Sequence, residues 1–150
     1  MRAVRHLVFA IWWLSLGLCG SAAYAADGAP SHLGSAERAV IQQVIKQQLE
    51  AFHRDDDGAA FAMAAPSIQT IFGDPENFMV MVKNGFQPLY RTREFSFEPL
   101  LEIGGRIVQQ MRVVGADGIA HLALYTMEQQ ADGRWLIAGC VLLDLPEQGV

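Results

Sequence analysis

The stretch RIVQQMRVVGADGIAHLALYTMEQQADGRWLIAGCVLL, residues 106–143, decides the fold. Within it apolar residues recur at every second position, the period of a strand whose side chains point alternately to two faces. Two Asp-Gly pairs, Asp117-Gly118 and Asp132-Gly133, break the alternation, and this dipeptide between alternating runs signals a tight hairpin. The segment therefore reads as three antiparallel strands at about 106–114, 119–129 and 134–143. Just upstream, Phe95 and Phe97 face one way in a run that stops at Pro99. That run adds a first strand, for a sheet of about four.

Two-residue turns would set 116 opposite 119 and 131 opposite 134, and parity then sorts the side chains. One face collects Ile107, Met111, Val113, Leu122, Leu124, Trp135, Ile137, Val141 and Leu143, a core to be covered by helices. On it Gln109 falls opposite Thr126, with Glu128 one step along. Either Gln109 bonds Thr126 and Glu128 ends in water, or these groups line the mouth of a pocket for a small apolar ligand. On the second reading the ligand-binding candidates are Tyr90, Gln109, Thr126 and Glu128.

The other face mixes Gln110, Arg112, His121, Tyr125 and Cys140 with apolar neighbours such as Val108, Leu136 and Leu142. Such a face either joins two copies in a homodimer or is a monomer's ordinary surface. The register sets Tyr125 beside Cys140 and His121 near Asp144, and the expected role of all three is packing or interface. No catalytic residue is assigned.

Before the sheet the period is helical. Ile41, Val44, Ile45, Leu49 and Phe52 form one stripe of a helix that Ser35 is expected to cap, with glutamines on the solvated side. Asp55-Asp56-Asp57-Gly58 ends it and favours the start of a short helix at about 58–64. A calcium loop is not the reading, because Ala59, Ala60 and Phe61 follow where oxygen ligands would be needed. Pro66 opens another short turn, and Asp74-Pro75 caps a further helix that Asn84-Gly85 closes.

The N-terminus reads as a signal for export. Arg2 and Arg5 precede an apolar run from Leu7 to Leu18, too short for a membrane span and followed by Gly20, Ser21, Ala22 and Ala23. Cleavage is expected between Ala25 and Ala26, giving a periplasmic or secreted product with no membrane span. Residues 26–35 form a turn-rich leader, 36–145 one domain and 146–150 a tail. Cys19 is an unsuitable lipidation site, since Leu18 stands where a small residue is wanted.

Processing would remove two of the eleven basic residues and none of the sixteen acidic ones, leaving nine against sixteen, a formal charge of −7. That balance argues against nucleic acid as a partner. Cys140 would be the one remaining cysteine, so no intramolecular disulfide can form. His32, His53 and His121 lack the spacing of a metal site, and no phosphate loop, dinucleotide fingerprint or nucleophile elbow occurs. No metal and no cofactor are expected.

Several segments carry a family resemblance. Ile45 to Phe52, Asp57 to Ala62, Phe72-Gly-Asp-Pro-Glu-Asn-Phe78, Gly85-Phe-Gln-Pro-Leu-Tyr90, Tyr125 and Asp132-Gly-Arg-Trp-Leu-Ile-Ala-Gly-Cys140 resemble the bacterial domain-of-unknown-function 4864 family over about residues 36–145. The resemblance implies an α+β fold similar to the nuclear-transport-factor-2-like cone, which hosts isomerases, dehydratases, ligand carriers and dimerisation modules. Fold alone does not choose among these. The expected function is non-enzymatic binding of a small apolar ligand or an envelope protein. The alternative is a cofactor-free isomerase or lyase, for which Glu128 is the one named base.

Overall fold

The computed structural model describes residues 28–146. The expected signal segment, the Ala25–Ala26 cleavage point and positions 147–150 lie outside them. Five helices precede the main sheet: α1 Ser35–His53, α2 Asp57–Ala62, α3 Pro66–Phe72, α4 Pro75–Gly85 and α5 Gln87–Tyr90. The sheet comprises β1 Ala29–Pro30, β2 Glu94–Ile103, β3 Arg106–Val114, β4 Ala120–Gln129 and β5 Trp135–Asp144. Its strands lie in sequence order and every neighbouring pair is antiparallel. The fold is thus α+β, with five strands rather than about four. The additional strand comes from the leader, where Ala29 and Pro30 pair with Glu102 and Leu101.

Local chemistry explains the helix boundaries. Asp56 accepts a hydrogen bond from Ala59 N (3.0 Å) and Asp74 one from Asn77 N (2.8 Å), so carboxylates cap α2 and α4 as their positions suggest. Ser35 does not cap α1. Gly34 holds that position without a side-chain bond, and Ser35 is the first helical residue. Ile41, Ile45, Leu49 and Phe52 are buried as the stripe requires, and Gln48 is buried among them.

Loop length sets the faces of the sheet. Gly115 N donates to Ile119 O, so three residues, 116–118, make the β3–β4 turn, with Gly118 left-handed at φ +81°. The third turn residue shifts pairing by one from the expected register: Gln109 opposes Tyr125, and Met111 opposes Ala123. Since the side-chain period is two, that slip exchanges the faces of β4. Ala123, Tyr125 and Met127 enter the helix-covered core, and Leu122, Leu124, Thr126 and Glu128 take the opposite face.

The β4–β5 turn also has three residues, with Gln130 N donating to Arg134 O and Gly133 at φ +89°. Here a bulge at Ala138 restores the count, because Met127 pairs with Ile137 but Thr126 with Gly139. Trp135 and Ile137 therefore face the helices together with Cys140 and Leu142, whereas Val141 and Leu143 face away at 54% and 43% exposure. The segment between α2 and α3 covers the start of β5: Ala65 N donates to Ile137 O (2.8 Å) and Ile137 N to Met63 O (2.9 Å). That pairing blunts an edge otherwise free to recruit another strand.

Candidate functional site

The helices do not fill the space above β4 and β5. A cavity of about 300 Å³ lies there, enclosed by α1, α3, α4, the start of α5 and the two strands. Phe52, Phe72, Phe78, Met81 and Val82 supply its apolar wall. Phe78 is the hub of that wall, with ring centroids 5.5 Å from Phe61, 5.7 Å from Phe72 and 6.5 Å from Phe52. Ile71 also lines the cavity and is 72% exposed, which marks the open side.

Among the described residues three polar side chains line it, namely Gln48, Tyr125 and Cys140. Gln48 is tethered, its Nε2 donating to Ala60 O at 3.2 Å. Tyr125 is 1% exposed, and its hydroxyl is buried with no hydrogen-bond partner among the described residues. Burial pushes the Tyr125 phenol well above its usual range, so it stays protonated. Burial likewise pushes the Cys140 thiol up to about 12. A thiol held in that form is a poor nucleophile.

The residues singled out from the sequence separate into four places. Gln109 is fully buried, but it neither bonds Thr126 nor lines the cavity: its Nε2 donates to Glu98 O and Gln110 O, each at 2.7 Å. The Glu98 carbonyl is available because β2 bulges between Phe97 and Leu100. Thr126 and Glu128 border a different, polar depression shared with Ser67, Arg106 and Gln129. Glu128 is exposed there.

Tyr90 belongs to a surface clamp. Its hydroxyl donates to Asp55, which Arg91 Nη2 also grips at 2.9 and 3.1 Å, while the Arg91 guanidinium stacks 3.7 Å from the Tyr90 ring centroid. Asp55 presents its carboxylate from a left-handed backbone (φ 53°) just after α1, a conformation that aspartate tolerates. The clamp holds the end of α1 against α5. The hydrogen bonds from Tyr90 and Arg91 keep the Asp55 carboxyl below its usual range, and Asp55 raises the Tyr90 hydroxyl in turn.

Of the residues expected to share the mixed face, Gln110 and Arg112 lie away from the helices, whereas His121, Tyr125 and Cys140 are on the helix side. The cross-strand pairs Tyr125–Cys140 and His121–Asp144 are as expected, with His121 Nδ1 3.0 Å from Asp144 Oδ1. The cavity wall itself went unread in the sequence. One signal for it was present in Gln48, which sits three residues after Ile45 and four before Phe52, inside the apolar stripe.

Among the described residues no three His, Cys, Asp or Glu side chains gather as a metal would require, and no helix is long and apolar enough to cross a membrane. Fold and site together define a helix-covered antiparallel sheet domain with an apolar cavity. The family model of the domain of unknown function DUF4864 matches residues 34–150, and the chain belongs to that family. No curated protein and no solved structure matches it.

Proposed function

We propose that this domain binds a small apolar molecule in the cavity between α1, α3, α4 and the β4–β5 pair, without transforming it. The cavity itself is the observation that carries the reading. Ligand sites are concave and mainly apolar, with a few polar groups to fix orientation, and about 300 Å³ walled by Phe52, Phe72, Phe78 and Met81 fits that description. The polar depression beside Glu128 offers less apolar surface to bury, so the hydrophobic effect favours the first site.

The alternative, an isomerase or lyase, needs a general base within reach of the bound molecule. Among the described residues neither carboxylate nor imidazole lines the cavity, and Glu128 points away from it. That distribution favours carriage or sensing over catalysis. The order of helices before a bulged antiparallel sheet fits a nuclear-transport-factor-2-like cone, and the first 25 residues fit a signal that delivers it to the periplasm or medium. The helix-free face, with Leu124, Val141 and Leu143, is the surface through which a second copy would pair.

Native mass spectrometry of protein purified from cells expressing the whole chain tests this reading. A co-purifying mass of a few hundred daltons or less is expected, and heating in organic solvent should release it. If the protein carries nothing and a panel of apolar compounds leaves its thermal midpoint unchanged, the cavity is not a binding site.

A further inference from the structure

The Tyr125 hydroxyl narrows the class of ligand, given the cavity reading above. A buried polar group without a partner is uncommon in folded proteins and costs stability. Tyr125 is 1% exposed, lines the cavity and has no partner for its hydroxyl. Water is a poor substitute in so apolar a wall, since a buried water needs roughly two to four polar partners.

We infer that the cavity selects a neutral, largely apolar molecule with one hydrogen-bond-accepting oxygen, a ketone, aldehyde or ester, which takes the hydrogen bond of the Tyr125 hydroxyl. Charge sets the first limit. Among the described residues no Lys, Arg or His lines the cavity, so a carboxylate would be buried unpaired, and no Asp or Glu is there to receive an ammonium. Donor character sets the second, because the protonated phenol has a proton to give, and Gln48 Nε2 commits only one of its two hydrogens, to Ala60 O. Size sets the third. A cavity of about 150 Å³ accepts benzene, so one of about 300 Å³ takes a molecule of about a dozen non-hydrogen atoms.

The probe of choice is 2-undecanone labelled with ¹³C at the carbonyl, compared with undecane and undecanoate by calorimetry on the purified protein and on Tyr125→Phe. The ketone is expected to bind the unmutated protein. Its advantage over undecane should shrink about tenfold in the variant, the size of one neutral hydrogen bond. The bound carbonyl stretch should lie below its frequency in hydrocarbon solvent, a measurement on the unmutated protein that does not require the variant to fold.

A carbonyl frequency equal to that in hydrocarbon, with the ketone's advantage unchanged in the variant, overturns the Tyr125 pairing and leaves the cavity reading standing. Tighter binding of undecanoate than of the ketone overturns the neutral ligand class. Failure of all three probes to bind removes the cavity reading itself.

Discussion

Tyr125 on β4 and Cys140 on β5 are direct cross-strand partners, and both side chains line the same apolar cavity. Because the Tyr125 hydroxyl lies buried without a partner, deleting it should help the empty protein. Tyr125→Phe is expected to raise unfolding free energy by about 1 kcal/mol or more, read from urea titration of ligand-free protein. Such a gain is the mark of a residue kept for binding rather than stability. A loss of similar size would mean that the hydroxyl is already satisfied.

The thiol next to it should be sluggish. With its pKa pushed up to about 12, Cys140 has roughly a thousandfold less thiolate at pH 8 than a free cysteine near 8.5. Iodoacetamide labelling of Cys140, followed by peptide mapping, should be slower in the native protein than in urea by about that factor. Labelling at the unfolded rate would show that the strand pair opens freely.

The clamp between Asp55, Tyr90 and Arg91 makes a pH prediction. The Asp55 carboxyl lies lower in the fold than its ordinary 3.8, so its stabilisation is complete above that value and disappears as pH falls through the lowered one. Tyr90 runs the other way: its raised hydroxyl stabilises below the ordinary 10.0, and the contribution fades as pH climbs above it. Asp55→Asn should flatten the fall of the urea midpoint on the acid side, by a small amount because the groups are exposed. An unchanged acid limb would mean that the clamp does not persist in solution.

The helix-free face predicts an assembly change. Val141 and Leu143 stand exposed on it beside the half-buried Leu122 and Leu124. If a second copy covers this face, sedimentation of the unmutated protein shows a dimer and the double variant Val141→Glu, Leu143→Glu a monomer. A variant that stays dimeric places the interface elsewhere.

The sequence made the elements legible and concealed their facing. Periodicity located α1, α4 and strands β3 to β5 because each buries one side and so carries a period, whereas β2, expected to stop at Pro99, runs on to Ile103 past its bulge. Asp117-Gly118 and Asp132-Gly133 located the hairpins but not their loop lengths, and Ala116 and Ala131 look as strand-like as their neighbours. One added turn residue moved Tyr125 from the presumed outer face to the cavity wall and Thr126 and Glu128 out of it. At β5 the bulge at Ala138 compensated, so the Tyr125–Cys140 and His121–Asp144 pairs were readable although their side was not. The cavity was invisible for another reason: Phe52, Phe72 and Phe78 look alike in sequence whether they fill a core or surround a space.

The turn can be tested directly, since its length decides which side of β4 faces the helices. Deleting Ile119 keeps the three-residue turn but sets Ala120 opposite Gly115, which forces the alternative register and drives Leu122, Leu124 and Thr126 toward the helices while expelling Ala123, Tyr125 and Met127. That variant should lose cooperative unfolding and the near-ultraviolet signal of packed aromatics. Gly118→Ala keeps the loop length and only strains a left-handed residue at φ +81°, a cost of roughly 1–2 kcal/mol, so it should unfold cooperatively at a lower urea midpoint. If the deletion variant instead melts like the unmutated protein, packing on the helices sets the register and the turn follows it.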